Sequence, residues 1–199
     1  MFALSDRKKV FIINGKAGVG KDKFIKYVSK YAYVVNFSSV QALKNIATEH
    51  FGYNDNIKSD KDRKFLADLK ALTTEYCNFS FNSVIEAYKA FKNISYTEIL
   101  FIHCREPEEI KKLQDEIPEA ETILVTADKR VTKVVDNNHA DKDINEYNYD
   151  IIINNDGTLE ELDQIAENFV NSLKVTDYEI AFGKDWKILQ LKLIYNNII

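Results

Sequence analysis

The chain is poor in the residues that build disulfide frameworks, zinc sites and interdomain linkers. It contains two cysteines, two prolines and six glycines among 199 residues. Cys77 and Cys104 form no CxxC pair, and the three histidines, His50, His103 and His139, form no cluster with ligand spacing. We therefore expect neither a disulfide framework nor a zinc site. Because no linker-like segment and no internal repeat interrupts the sequence, residues 1–199 are predicted to form a single domain.

A surplus of basic residues and a long apolar run are missing as well. The formal net charge of -4 argues against broad, charge-driven binding to nucleic acid. No apolar run approaches the roughly 20 residues that span a bilayer, and the first residues lack the apolar core and cleavage site of a signal peptide. The expected protein is cytoplasmic, with neither nucleic acid nor membrane as a partner. Its 45% hydrophobic content is enough to bury one substantial core.

Strand-like and helix-like patterns alternate along the sequence. Short apolar runs predict five buried strands, at residues 9–14, 33–38, 98–104, 122–127 and 149–155. Helical spacing of apolar residues separates these runs. This alternation is typical of the α/β class, in which a parallel sheet is covered by helices.

The helices between the strands are predicted from apolar faces and caps. One face is formed by Phe65, Leu69, Leu72 and Tyr76, and Ser59 stands where that helix needs a cap. Residues 84–91 and 107–117 predict two more helices, the second opened by a proline. In the last predicted helix, Thr158 and Glu161 form a capping box, followed by the buried stripe Leu162, Ile165, Phe169 and Leu173. A C-terminal extension, strand or helix, is expected over residues 174–199.

The chemistry begins in residues 15–22, which we call the glycine loop. Their sequence, GKAGVGKD, follows a predicted strand, precedes a predicted helix and matches the GxxxxGK spacing of a Walker A motif. Glycines allow a tight turn whose N–H groups point inward, and the helix adds the positive end of its dipole. Lys21 can then reach the terminal phosphates of a nucleotide. The alternative is a plain glycine-rich turn between a strand and a helix.

Asp22 stands where this motif normally has a serine or threonine that contacts magnesium. A carboxylate can bind a hard cation directly or through water, so Asp22 is a candidate Mg²⁺ ligand. Alternatively, it is a favourable negative charge in the first turn of a helix. The strand at residues 98–104 ends in His103 and Cys104 and is followed by Arg105, so this end offers no carboxylate, which favours the metal-binding interpretation.

Over residues 9–173 the ordered set of motifs resembles the P-loop small-molecule kinases. The set comprises the GKD ending of the glycine loop, residues 38–52 after the second strand, Arg105 after the third, a basic segment after the fourth and the NDGTLEEL ending. Phage-type deoxynucleoside monophosphate kinases and animal-type phosphomevalonate kinases are the most similar in appearance. Dephospho-coenzyme A kinases resemble the NDGTLEEL ending but usually carry GKS or GKT. The resemblance implies a three-layer P-loop kinase fold, with a five-stranded parallel sheet and a short lid.

The resemblance also implies positions for the two substrates. The ATP-binding residues would be Gly15, Lys16, Ala17, Gly18, Val19, Gly20, Lys21, Asp22 and Lys23, with Asn155, Asp156 and Gly157 beside the adenine. The acceptor-binding residues would be Lys44, Arg63 and Arg105. For Lys44 and Arg63 the alternative is solvated surface charge. For Arg105 it is an ion pair with Glu106 or Glu109, and for residues 155–157 it is a turn that leads to the Thr158 cap.

The lid is expected at residues 128–148. Lys129, Arg130 and Lys133 fit helical spacing and would offset phosphate charge, although an amphipathic surface helix explains the same residues. Lys21, Arg105 and Arg130 are the predicted catalytic residues, and neither His103 nor Cys104 is assigned a role. The expected activity is transfer of the γ-phosphoryl group of ATP, with Mg²⁺, to a phosphorylated small molecule.

The preferred acceptor is a nucleoside or deoxynucleoside monophosphate. The alternatives are phosphomevalonate, a dephospho-coenzyme A type substrate, or a nucleotide-binding protein that hydrolyses ATP slowly or not at all. Pocket shape decides among acceptors, so the sequence does not name one. A homodimer is compatible with the sequence, which does not set the oligomeric state.

Overall fold

In the computed structural model, the described residues are 8–54, 59–96, 98–129, 144 and 147–182, with side chains described as far as residue 173. The strands are β1 (Lys9–Asn14), β2 (Val34–Ser38), β3 (Ile99–His103), β4 (Ala120–Thr126) and β5 (Ile151–Asn154). The helices are α1 (Lys21–Val28), α2 (Gln41–Phe51), α3 (Asp60–Cys77), α4 (Phe79–Asn93), α5 (Pro107–Glu116) and α6 (Leu159–Phe182). The predicted lid lies largely outside the described residues.

The five strands form one parallel sheet in the order β2-β3-β1-β4-β5. This confirms the predicted α/β class with a five-stranded parallel sheet flanked by helices. The strand β1 lies at the centre, with β3 and β2 on one side and β4 and β5 on the other. Open α/β sheets bind ligands at the carboxyl ends of their strands, near the point where the strand order reverses. The glycine loop follows β1 at this point.

Both faces of the sheet are covered, which explains why the strands read as continuous apolar runs. On one face, Phe11 and Phe101 pack against Phe24 of α1 and Phe169 of α6, with ring centroids 5.1–6.3 Å apart. The opposite face packs against α4 and α5. Its buried members include Ile12, Leu100, Ile102, Val84, Phe91, Ile110 and Leu113.

Helix α3 differs from its predicted packing. Ser59 caps it in a capping box with Asp62, as the sequence indicates. However, no residue of α3 is buried, and Leu72 and Tyr76 are 65% and 88% exposed. The four residues share a helical face, but its outer half is exposed, because α3 lies on α2 and α4 rather than on the sheet.

Helix α6 begins with the predicted capping box, in which Glu161 accepts from the Thr158 N–H and donates its own N–H to the Thr158 hydroxyl. Its predicted stripe packs on the sheet, with Leu162, Phe169 and Leu173 buried. The helix continues to Phe182 and so includes the first residues of the expected C-terminal extension, for which a helix was one of the two alternatives. Among the described residues, no helix is long and apolar enough to cross a membrane.

Candidate functional site

Two glycines of the glycine loop lie where neighbouring atoms leave no room for a side chain. Gly15 has φ 145°, and a Cβ there would lie 2.4 Å from the carbonyl oxygen of Val125 on β4. Gly20 has φ 99°, and its Cβ would lie 2.3 Å from the side-chain nitrogen of Asn155. Both positions therefore require glycine. At the tip of the loop, Ala17 and Gly18 are exposed, which leaves the backbone there accessible.

Lys21 holds its ammonium group inside the glycine loop. Its Nζ donates to the carbonyl oxygens of Gly15 and, at 2.9 Å, of Lys16. Helix α1 begins at Lys21, and its N-cap residue, Gly20, supplies no side-chain cap. The first-turn N–H groups and the ammonium thus converge on one region, and this is the arrangement that binds an anion at a helix N-terminus.

Asp22 lies at the mouth of the loop with an 88% exposed side chain. Its Oδ1 is 3.7 Å from Nε2 of His103, the last residue of β3, and that nitrogen is 2.8 Å from Oδ1 of Asn36 on β2. Burial lowers the pKa of His103, with smaller downward contributions from Lys21 and Arg105, while the Asp22 carboxylate acts in the opposite direction. The imidazole is therefore neutral near pH 7. Sequence analysis gave His103 no role, and the structure places it beside Asp22.

Asn14 joins the loops at the carboxyl edge of the sheet. Its side chain is fully buried, and its Oδ1 accepts from the N–H of Gly15 at 2.7 Å. The amide nitrogen donates to the carbonyl oxygen of Arg105 at 3.0 Å and to the hydroxyl of Tyr149 at 2.7 Å. These bonds fix the start of the glycine loop relative to the segment that follows β3. The sequence contained no local signal for them, since the partners lie 91 and 135 residues away.

Asn155 supports the glycine loop from the end of β5. It is 4% exposed, and its amide nitrogen donates to the carbonyl oxygen of Val19 at 2.7 Å. Neither sequence interpretation of residues 155–157 included this role. The next residue, Asp156, accepts from the backbone N–H of Lys129 at 2.8 Å. At Gly157, a Cβ would lie 2.0 Å from a carboxylate oxygen of Glu161.

A pocket of about 430 Å³ opens beside this support. It is lined by Asn154, Asn155, Gly157, Glu161, Leu162, Gln164 and Ile165. Asn155 therefore contacts the glycine loop and also forms part of the pocket wall. The two features lie side by side at the carboxyl edge of the sheet.

The predicted acceptor residues lie on three different elements. Lys44 is half-buried on α2, and Arg105 is half-buried immediately after β3. On α3, the Arg63 side chain is 62% exposed, and its Nη1 is 3.7 Å from a carboxylate oxygen of Asp60. The exposure of Arg63 is compatible with solvated charge as well as with a role in acceptor binding, so its role stays a prediction.

Sequence analysis missed a partly buried ion-pair cluster next to Arg105. The Lys70 ammonium of α3 lies 3.0 Å from carboxylate oxygens of both Glu106 and Glu109. Burial alone would lower the pKa of Lys70, but the two carboxylates outweigh burial, and the net shift is upward. These glutamates, proposed from the sequence as partners of Arg105, thus anchor α3. The Cys104 thiol, whose pKa burial raises well above its usual value, contacts Glu109 at 3.6 Å.

Cys104, Glu106 and Glu109 offer three metal-ligating atoms within 4.8 Å of one another. We assign no metal to this cluster, because the Lys70 ammonium already lies 3.0 Å from both of its carboxylates. Of the predicted lid residues, Lys129 is exposed at the end of the segment after β4. Arg130 and Lys133 lie outside the described residues.

No protein-family model matches the sequence, and no curated protein matches it. Solved structures with a similar arrangement include dephospho-CoA kinase from Campylobacter jejuni, with a TM-score of 0.49, 15% identity, and coverage of 86% of this chain and 100% of that chain. Shikimate kinase from Aquifex aeolicus has a TM-score of 0.44 and 10% identity, and the match covers 87% of this chain and 99% of that chain. Gluconokinase from Sinorhizobium meliloti has a TM-score of 0.43 and 14% identity, and the match covers 86% of this chain and 98% of that chain. At these values, the function of this chain has to be inferred from its own residues.

Proposed function

We propose that the protein is an ATP-dependent phosphotransferase that moves the γ-phosphoryl group of ATP to a phosphorylated small molecule. The preferred acceptor is a nucleoside or deoxynucleoside monophosphate. The observation that carries this proposal is the glycine loop, where the Lys21 ammonium and the uncapped start of α1 face the same space. That space suits the terminal phosphates of a nucleotide.

The donor would lie along the carboxyl edge of the sheet. Backbone N–H groups of residues 15–23 would bind its phosphates, and Lys21 would stabilise the charge that develops as the phosphoryl group leaves. Its adenine would occupy the pocket of about 430 Å³, beside residues 155–157. This pocket is adjacent to the loop because the Asn155 side chain bonds to Val19.

Asp22 fits magnesium because Mg²⁺ is usually bound through one or two carboxylates together with substrate phosphate oxygens. Its side chain is exposed at the mouth of the glycine loop, next to the region assigned to the phosphates. The ion would neutralise negative charge on the donor. Among this chain's own residues, Lys21 supplies the neighbouring positive charge.

On the acceptor side, Arg105 would bind the acceptor phosphate and neutralise charge in the transition state, with Arg63 and Lys44 as further contacts. Arg105 is well placed, since Asn14 binds its carbonyl oxygen next to the glycine loop. Arg130, with Lys129 and Lys133, would close over the transferred group and exclude water. An ionised phosphate acceptor needs no base, so positioning supplies most of the catalysis.

One observation favours a second candidate, a kinase whose acceptor is a hydroxyl group, as in dephospho-coenzyme A. A hydroxyl acceptor gains from a base, and the His103 imidazole lies 3.7 Å from Asp22. The variant His103→Gln separates the two candidates. It should lower turnover strongly with a hydroxyl acceptor and only weakly with a phosphate acceptor.

The test is a coupled assay for ADP formation with and without nucleoside monophosphates, phosphomevalonate and dephospho-coenzyme A. A parallel thermal-shift screen with a nonhydrolysable ATP analogue finds binders, because a ligand of the folded state raises its stability. The proposal predicts rapid ADP formation that depends on one acceptor. Binding of the analogue without acceptor-dependent ADP formation would instead indicate a nucleotide-binding protein without kinase activity.

A further inference from the structure

A polar corner lies where β2 and β3 end at the carboxyl edge of the sheet. His103 is the last residue of β3, and in the parallel register it pairs with Ser38, the last residue of β2. Asn36 lies two residues before Ser38, so its side chain is on the same face of the sheet as the His103 imidazole. The corner therefore contains an imidazole and an amide side by side.

Helix α1 brings the Asp22 carboxylate to this corner. Phe101 lies two residues before His103, on the same face of β3. Its ring packs against Phe24 of α1, two residues after Asp22, with ring centroids 6.3 Å apart. As a result, Oδ1 of Asp22 lies 3.7 Å from Nε2 of His103, and Oδ1 of Asn36 lies 2.8 Å from the same nitrogen. Two side-chain oxygens thus approach one ring nitrogen.

These distances suit the ligands of a divalent cation. In octahedral coordination, adjacent ligand atoms about 2.1 Å from the ion lie about 3.0 Å from one another. The His103 and Asn36 atoms already have nearly this separation, at 2.8 Å. The Asp22 oxygen, at 3.7 Å, has to approach by less than about 1 Å, which a side chain that is 88% exposed achieves by turning about its torsions.

Coordination by His103 requires only that its ring hydrogen changes place. The Asn36 amide oxygen accepts hydrogen bonds and does not donate them, so Nε2 carries the ring hydrogen while the two atoms are in contact. When Nε2 binds an ion, the hydrogen moves to Nδ1 by exchange through water, and the ring stays neutral. Neutral imidazole is the commonest metal ligand among protein side chains.

This mixture of donor atoms suits Mn²⁺ better than Mg²⁺. Mg²⁺ is a hard cation that is bound through oxygen ligands. Transition metals accept imidazole nitrogen more readily, and Mn²⁺ among them also suits carboxylate and carbonyl oxygens. A nitrogen beside two oxygens therefore gives Mn²⁺ an interaction that Mg²⁺ lacks.

The surrounding charge decides how an ion reaches this corner. Lys21 and Arg105 lie close enough to lower the pKa of His103. These two cations outnumber the single Asp22 carboxylate, so a free metal ion is not attracted. The phosphates of the nucleotide supply the missing negative charge. The ion would arrive bound to the donor, and the inference rests on the proposed function in this respect.

We propose that His103 Nε2, with the Asp22 carboxylate and the Asn36 amide oxygen, binds Mn²⁺ that enters with the nucleotide, in preference to Mg²⁺. Mg²⁺ at this place is held through oxygen ligands alone. A nitrogen that binds the ion has no lone pair left for a proton, so His103 is then no general base. The proposal therefore favours a phosphate acceptor over a hydroxyl acceptor.

Calorimetry with the β,γ-methylene analogue of ATP, saturated with either Mn²⁺ or Mg²⁺, tests this preference. His103→Gln should raise the Kd of the Mn²⁺ complex about tenfold or more, as losses around a bound metal typically do. It should change the Kd of the Mg²⁺ complex less than about twofold, because Mg²⁺ uses oxygen ligands. His50→Gln is the matched control, since His50 is exposed on α2, and it should change neither Kd.

The outcomes separate this proposal from the donor site itself. Equal weakening of both complexes by His103→Gln would show a structural role and overturn the proposal. No weakening, with the Mg²⁺ complex still bound, would overturn it while the donor site stands. If the wild type binds neither complex, the donor site fails as well. Asn36→Ala should weaken both complexes about threefold or more, and unchanged values would overturn the three-ligand site.

Pulsed electron paramagnetic resonance of the bound Mn²⁺ detects the ligand directly. Nitrogen bonded to the ion modulates the spin echo, and the triphosphate of the methylene analogue contains no nitrogen. The wild type and His50→Gln should show ¹⁴N modulation, and His103→Gln should lose it. Because the wild type alone reports the bond, the result does not depend on how well a variant folds. A wild-type echo without ¹⁴N modulation, or modulation that persists in His103→Gln and so comes from the adenine, would overturn the proposal.

Discussion

The substitution Gly20→Ala tests how Asn155 holds the glycine loop. The new Cβ would lie 2.3 Å from Asn155 Nδ2, so the amide has to move away from the Val19 carbonyl oxygen. Losing this buried hydrogen bond costs about 1–3 kcal/mol. The left-handed backbone at φ 99° adds about 1–2 kcal/mol for any residue with a Cβ. We therefore expect the free energy of unfolding to fall by about 2–5 kcal/mol, measured by urea denaturation.

Gly18→Ala is the matched control for backbone strain alone. Gly18 has φ 81°, but its Cβ would have nothing within 4 Å, so only the strain of about 1–2 kcal/mol applies. In an Asn155→Ala background, the added cost of Gly20→Ala should fall to the Gly18→Ala value, since the clash is gone. Equal losses for Gly18→Ala and Gly20→Ala in the wild-type background would refute the role assigned to Asn155.

Three further predictions concern Asp22, Lys70 and the cysteines. Asp22→Ala should raise the magnesium concentration that gives half-maximal rate, and Asp22→Ser should do so less, because a hydroxyl still binds the metal. An unchanged value would leave Asp22 as a helix-start residue. Lys70→Met should destabilise the fold by about 2–4 kcal/mol in urea unfolding. Lys64→Met, which breaks the exposed pair with Asp68, is the control and should cost less than about 1 kcal/mol. Similar losses for the two variants would contradict the anchoring of α3. A thiol reagent should modify exposed Cys77 in the native protein and buried Cys104 only after unfolding, and equal rates would contradict the burial of Cys104.

The sheet could be predicted from the sequence because buried parallel strands are continuous apolar runs. All five predicted strands are present, with their ends shifted by at most two residues. Helix α3 shows the limit of this reasoning. The spacing of Leu72 and Tyr76 predicts a helical face, but spacing alone does not show which element covers that face.

The candidate site also has one part that the sequence predicts and another part that only the fold reveals. The glycine loop is contiguous in sequence, so the motif places Lys21 and Asp22 beside the start of α1 without knowledge of the fold. The partners of Asn14, Lys70 and His103 come from distant segments, and only the strand order brings them together. Lys70, for example, is 36 and 39 residues from its glutamates. The roles of such residues can be inferred only once the strand order of the sheet is known.

The most direct test of the central claim is the affinity of the protein for a nonhydrolysable ATP analogue with magnesium, measured by calorimetry. Lys21→Ala should weaken binding about tenfold or more, because a charged hydrogen bond is worth about 1.5–3 kcal/mol. Lys26→Ala removes an exposed lysine from the last turn of the same helix and should leave the affinity unchanged. Equal affinities of wild type and Lys21→Ala would contradict the assignment of the glycine loop as the donor site.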